Sequence, residues 1–230
     1  MATPQTHADE SCTKPLRRDA QRNRDALLEA AATLFAEYGL EAPLEQVAKR
    51  AGLAIGTLYR HFPTRLDLVQ ALFTAKLQAW QAAAEQAAAL DDAWAGFVRY
   101  TEAMCELQAE DRGFNELASV HLPLSPCLAA SRSRIFDLGC EIVERAQRQG
   151  SMRSDVTAED LAFVIWSHGR ISEATAGIAP DAWRRALHLM LDAFRAERAH
   201  PLPVPPLTPD QVGQAMARMG QAGSCAVRSV

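Results

Sequence analysis

The polar side chains best placed for chemistry lie on one short predicted helix, residues 55–61. Leu58 and Phe62, four residues apart, give that helix a buried side. The remaining residues therefore face a partner: Ile55, Gly56, Thr57, Tyr59, Arg60 and His61. Hydroxyl, guanidinium and imidazole groups of this kind hydrogen-bond to phosphates and to base edges in the DNA major groove. The segment is a candidate for DNA recognition.

A second predicted helix lies immediately before it and positions it. Leu44, Val47, Ala48 and Ala51 follow the i, i+3, i+4, i+7 spacing of an amphipathic helix. Gly52 ends this helix, because glycine takes positive φ at little cost. A helix of two turns is marginal alone in water, so packing must hold the later one. Two short helices around a tight turn predict a helix-turn-helix, whose second helix enters the major groove.

The sequence GLAIGTLYRHFPTRLDL resembles the N-terminal domain of the TetR family of bacterial transcriptional regulators. The helix before it and its closing turn add to the resemblance through Leu27, Leu28, Ala31, Leu34, Phe35, Tyr38, Gly39 and Leu40. The resemblance covers roughly Arg22 to Leu72, and beyond it the chain is similar only in helicity and length. It implies a homodimer that binds a double-stranded DNA operator and is released by a small-molecule effector.

The resemblance assigns DNA contacts to individual residues. Thr57 and Tyr59 match positions that contact bases or nearby phosphates, and His61 matches a phosphate contact. Arg65 stands where the family usually has Lys, and it could bind a phosphate oxygen bidentately, which Lys cannot. The alternative for Tyr59 is a half-buried aromatic with no DNA contact.

The chain departs from the family pattern at two places. Ala42-Pro43 replaces a pair of Thr at the start of the second helix, so a capping hydroxyl is missing. Ile55 occupies a base-facing position and can only make apolar contact, as with a thymine methyl. Gly56 then allows close backbone approach, and Arg60 is the side chain best able to pair with guanine.

The charge of the chain is unevenly distributed. Residues 14–65 hold nine Lys or Arg and six acidic residues, a net charge of +3. Since the whole chain has a net charge of −4, the remaining residues carry −7. This fits a protein that meets DNA at one end only. Arg17, Arg18, Arg22 and Arg24 form either a mobile arm that reaches DNA or a solubilising run.

No catalytic motif, phosphate-binding loop or dinucleotide fingerprint occurs in the sequence, so we expect no enzyme and no cofactor. The 5 cysteines show neither a disulfide framework nor zinc-ligand spacing, so we expect no metal site. The N-terminus is polar and no run of eighteen apolar residues occurs, which predicts a cytoplasmic protein without membrane contact.

The pattern of the whole chain predicts an all-α protein. We expect a disordered arm over 1–20, a three-helix helix-turn-helix domain over 21–66 and a larger helical ligand-binding and dimerisation domain over 67–198. Residues 199–230 are a Pro-rich linker with a short terminal helix or a disordered tail. Thr64 with Asp67 predicts the start of a fourth helix, which links the two domains and ends near Ala89.

The resemblance implies an effector pocket among the middle helices, where the candidate contacts are Phe97, Met104, Cys105, Leu117, His121, Phe163, Trp166 and Arg170. A cavity lined by these mainly apolar residues would select a largely apolar small molecule. His168 and Arg170 are either satisfied across an interface or mark the polar end of a pocket. The last two helices, around Phe163–Trp166 and Trp183–Phe194, are candidates for the dimer interface, unless they only close the core of the monomer.

Two functions from different classes follow. The first is a ligand-responsive repressor, with an activator or a ligand-independent regulator as a variant that the same residues would serve. The second is a helical ligand carrier or enzyme in which the N-terminal motif is only structural.

Overall fold

The computed structural model describes residues 13–119 and 125–226, and every regular element in these ranges is helical. The described residues form two compact units. The first unit comprises residues up to Leu34 together with Ala42–Leu72, and the second comprises Phe35–Glu41 and the residues from Phe73 onward. The all-α prediction is confirmed.

The first unit contains most of α1 (Thr13–Tyr38), α2 (Leu44–Arg50), α3 (Ile55–His61) and the start of α4 (Arg65–Ala88). The sequence analysis placed residues 13–20 in a disordered arm, whereas the structure has them within α1. The apolar faces of these helices meet in a core whose side chains include Leu27, Leu34, Val47, Leu58, Phe62 and Leu68. Each short helix is thus held by packing rather than by its own length.

Local signals set the ends of these helices. Gly52 has φ +69° and its N–H donates to Lys49 O at 3.1 Å, which turns the chain after α2. Thr64 and Asp67 cap α4 reciprocally: Thr64 N–H donates to Asp67 Oδ2 at 2.9 Å, and Asp67 N–H donates to Thr64 Oγ1 at 3.1 Å. Pro43 precedes α2 without a side-chain cap.

The second unit packs the rest of α4 with six helices: α5 (Ala93–Glu110), α6 (Arg112–Ser119), α7 (Pro126–Arg148), α8 (Leu161–Thr175), α9 (Ala182–Phe194) and α10 (Pro209–Ala226). Asp111 separates α5 from α6, because its buried carboxylate accepts from Phe114 N–H at 3.1 Å and from Lys76 Nζ at 2.7 Å. Arg145 of α7 holds the turn after α4 by donating to Ala88 O and to Leu90 O.

Helices α8 and α9 pack against each other and close one side of this core. Trp183, Leu187 and Leu191, which belong to the apolar stripe seen in the sequence, face the core of the unit itself. Phe163 of α8 is 46% exposed, so part of this apolar helix faces away from the core. No helix in the described ranges is long and apolar enough to span a bilayer.

Candidate nucleic-acid interface and internal cavity

The outer face of α3 carries most of the side chains that the sequence analysis proposed for DNA contact. Leu58 is fully buried and anchors the helix, while Ile55 is 36% and Tyr59 46% exposed. Gly56 and Arg60 are also exposed, and a Cβ added at Gly56 would meet no heavy atom within 4 Å. This face therefore offers an apolar, an aromatic and a cationic group side by side on one short helix.

Thr57 and His61 lie at the margin of this face and are half-buried. The His61 Nε2 atom is buried without a hydrogen-bond partner among the residues described. Buried polar atoms usually have a hydrogen-bond partner in the protein or an ordered water. His61 is thus less open to a phosphate than its sequence position suggested.

Arg65 is tied to the first unit rather than extended into solvent. Its Nη1 donates to Ala42 O at 2.7 Å, across the loop that precedes α2, and the residue is half-buried. The family pattern suggested only a phosphate contact here. The structure adds a positioning role, because this bond fastens the start of α4 to the start of α2.

Two exposed cations accompany α3 that the sequence analysis counted only as charge. Lys49 and Arg50 occupy the last turn of α2 and are exposed. A helix-turn-helix commonly uses residues of its first helix to contact the DNA backbone. Their position before the Gly52 turn was the signal that could have identified them.

The second unit contains a partly open cavity of about 210 Å³ with a mainly apolar wall. Aromatic side chains from five helices contribute to this wall: Trp80, Tyr100, Phe114, Phe136 and Trp166. Burial raises the pKa of the Tyr100 phenol far above its ordinary value. The polar residues of the wall include Arg132 of α7 and Glu159 of the turn before α8.

Leu117 and Trp166 are the two residues shared by this wall and the effector contacts proposed from sequence. Phe97, Met104 and Cys105 are buried in the core but do not line the cavity, and the Phe97 ring contacts those of Trp94 and Phe194. Phe163 is exposed and its ring meets Trp166 edge-on, 5.9 Å between centroids. His121 falls outside the described residues.

His168 and Arg170 separate into a core and a surface residue. The His168 ring is buried edge-on against Trp183 at 5.0 Å, and its Nε2 lies 3.3 Å from Ser172 Oγ. Burial lowers the pKa of His168 to about 4, against the opposing effect of a hydrogen bond with the Cys105 backbone. Arg170 is exposed and pairs with Glu173 at 2.6 Å. Neither residue lines the cavity.

Helix α10 contributes to the cavity wall, although no residue of the tail was among the effector contacts proposed from sequence. Pro209, Val212 and Met216 face the cavity from this helix. The sequence analysis left the tail open between a short terminal helix and disorder. The apolar spacing of Val212 and Met216, four residues apart, was the available signal.

Helix α6 connects the cavity to the ends of the two helices that continue into the first unit. Phe114 and Leu117 line the cavity, while Glu116 accepts a hydrogen bond from Leu40 N–H at 2.8 Å, just after α1. Gly113 lies against Phe35 and Phe73, and a Cβ there would come within 3.0 Å of Phe35 Cβ and 3.1 Å of Phe73 Cζ. These contacts join α6 to the parts of α1 and α4 that belong to the second unit.

Two protein-family models match the chain on separate ranges. The model described as "Bacterial regulatory proteins, tetR family" matches residues 27–72. The model described as "Transcriptional regulator SbtR-like, C-terminal domain" matches residues 91–196. The first range contains α2 and α3, the second contains α5 to α9, and α10 follows it.

Individual relatives and solved structures are also similar to this chain. An HTH-type transcriptional regulator of Staphylococcus aureus strain USA300 is 44% identical over 54 residues, 23% of this chain and 29% of the relative. The chain thus matches less than a third of the length of such curated relatives. The solved TetR family regulator PfmR of Thermus thermophilus is 25% identical, with a TM-score of 0.54 over 74% of this chain and 94% of that one.

A further likeness concerns the fold alone. A solved gamma-butyrolactone receptor, described as ArpA-like, is 20% identical and has a TM-score of 0.59. The match covers 89% of this chain and 99% of that receptor. It includes more of this chain than the match to PfmR does.

Proposed function

We propose that this chain, which belongs to the TetR family of bacterial transcriptional regulators, is a cytoplasmic homodimeric repressor that a small molecule releases from its DNA operator. The exposed face of α3 supports DNA binding, because Tyr59 and Arg60 stand outward on a helix held by buried Leu58. In a dimer, two such helices about 34 Å apart would enter successive major grooves of a near-palindrome.

Dimerisation is supported by apolar surface on two helices of the second unit, α8 and α9. Phe163 is 46% and Leu189 61% exposed. A contiguous apolar patch commonly marks an interaction surface, and we infer that these two side chains belong to one. We infer that these outer faces of α8 and α9 meet the same faces of a second copy, while their inner faces close the core of each copy.

Release by an effector is supported by the cavity and by α6. A ligand changes DNA affinity only through a difference in its affinity for two conformations. A ligand in the cavity touches Phe114 and Leu117 of α6, whose Glu116 is bonded to the backbone after α1. We infer that α6 passes the change to α1 and α4, which alters the separation of the two α3 helices.

The experiment that tests this function is a mobility shift of the purified protein on DNA flanking its own gene. It is run at two salt concentrations with excess nonspecific competitor. A competitor-resistant shift that weakens with salt is expected from a specific contact to bases and phosphates. If neither that DNA nor a random-sequence selection yields a bound site, DNA recognition is overturned. The alternative of a helical ligand carrier or enzyme is then favoured.

A regulator that activates transcription is the second candidate, since the same α3 face would serve it. Transcription in vitro from the bound promoter separates the two roles. A repressor lowers transcript yield when the protein is added, whereas an activator raises it. A regulator without an effector would keep the same yield with any compound that binds the cavity.

A further inference from the structure

Trp80 lines the cavity and carries a hydrogen-bond donor without an acceptor among the residues described. This residue of α4 is 7% exposed, and its indole Nε1 is buried with no partner among the residues described. An indole N–H donates and cannot accept. Buried indole groups normally find an acceptor, so a ligand atom with a lone pair would satisfy this one.

Arg132 adds a cation to the same wall. It is half-buried on α7, with Nη2 4.0 Å from Met216 Sδ on α10. Burial lowers the pKa of Arg132, yet a guanidinium stays charged at any ordinary pH. Its attraction for an anion is stronger in this apolar setting than in water, and its planar fork matches a carboxylate.

Glu159, in the turn before α8, is an acidic residue of the wall. Its charge contributes to the raised pKa of the Cys140 thiol. Cys140 follows Arg132 by two turns of α7, roughly 12 Å at the helical rise per residue. The wall thus holds one acidic and one basic side chain, and an anion would be drawn to Arg132.

We propose that the cavity binds an amphiphilic anion, with a carboxylate or similar oxyanion at Arg132, an acceptor for Trp80 Nε1 and an apolar body against the aromatic wall. A cavity of about 150 Å³ holds a benzene ring. The 210 Å³ found here suits a body of about eight non-hydrogen atoms. This inference rests on the proposed function, since it names the chemical class of the effector.

Calorimetric titration of the full chain without DNA tests the class with three probes of equal chain length. These are octanoate, 1-octanol and octylammonium, which carry a negative, a neutral and a positive head group on an eight-carbon chain. We expect octanoate to bind about tenfold more tightly than octanol, the effect of one charge-assisted pair, and octylammonium to bind most weakly. Equal affinity of anion and alcohol, tighter binding of the cation, or no binding of any probe would overturn the proposal.

Variants locate the effect. Arg132→Met should remove the preference for octanoate over octanol, whereas Arg134→Met, an exposed cation on the same helix, should retain it. Trp80→Phe keeps a ring but removes the donor, and should weaken octanoate several-fold. Preference retained in Arg132→Met overturns the role of Arg132. If that variant fails to fold, the three-probe comparison on the unmodified chain still decides.

A mobility shift in parallel separates this proposal from the function on which it rests. If octanoate binds preferentially but no operator is found, the proposed ligand class is supported and the repressor function is refuted. If an operator is bound but octanoate is not preferred, the repressor function is supported and the proposed ligand class is refuted.

Discussion

Glu116 of α6 accepts a hydrogen bond of 2.8 Å from the backbone N–H of Leu40, 76 positions away and just beyond the end of α1. This bond joins a helix that lines the cavity to a segment that continues into the first unit. The carboxylate is partly exposed, so the bond is worth less than a fully buried one.

Replacing Glu116 should weaken this connection. In Glu116→Ala we expect faster hydrogen exchange at the Leu40 amide and a loss of about 1 kcal/mol in the free energy of unfolding. Exchange mass spectrometry and urea unfolding measure both. Glu110→Ala, at the exposed end of α5, is the matched control. An unchanged Leu40 amide would contradict the coupling assigned to α6.

Arg60 and Arg65 should respond differently to alanine. Arg60→Ala is expected to cost about 1–3 kcal/mol of operator binding, and only where the site holds the base that Arg60 contacts. Arg65→Ala should weaken all sequences alike, reduce the salt slope by about 1 and also lower stability, since its bond to Ala42 O is lost.

Mobility shifts on operator and mutated operator over a range of salt distinguish these outcomes. Arg148→Ala, an exposed cation at the end of α7, serves as control and should bind as the unmodified chain does. Base-independent loss in Arg60→Ala would refute its assignment to base recognition.

Leu189→Glu should separate the proposed dimer. Its side chain is 61% exposed on α9, and burying a leucine at an interface contributes about 1.5–3 kcal/mol. We expect a rise of tenfold or more in the dimer dissociation constant, measured by sedimentation equilibrium. Leu202→Glu, in the Pro-rich segment at 47% exposure, should leave the dimer intact. A dimer that tolerates Leu189→Glu would move the interface elsewhere.

His168 should make stability depend on pH. Its native pKa is lowered to about 4 by burial, below the 6.5 of the unfolded chain, so on acidification the unfolded state binds the proton first. The stability that the neutral imidazole confers is complete above pH 6.5 and is lost as pH falls towards 4, on the order of 3 kcal/mol.

Urea unfolding at pH 7.5 and pH 4.5 measures this effect. His168→Gln should be less stable at the higher pH and lose less on acidification than the unmodified chain. His188→Gln replaces an exposed imidazole on α9 and controls for the substitution itself. An identical loss in His168→Gln and the unmodified chain would show that His168 does not titrate in this range.

The sequence by itself determined the family and the local plan of the first unit. The features that identified this plan are local. They are the apolar spacing of Leu44, Val47 and Ala48, the turn at Gly52 and the cap formed by Thr64 and Asp67, each of which involves residues a few positions apart. Helical periodicity and caps depend on such short separations, which is why α2, α3 and the start of α4 were predicted closely.

Tertiary structure alone decided which residues enclose the cavity and which side chains remain exposed. The wall joins Trp80 to Met216, and Arg65 finds its partner 23 positions back along the chain. Phe163 and Phe97 belong to similar apolar patterns, yet one is half exposed and the other fully buried. A helical pattern shows that a face is apolar but does not say which surface covers it, because that depends on the packing of helices distant in sequence.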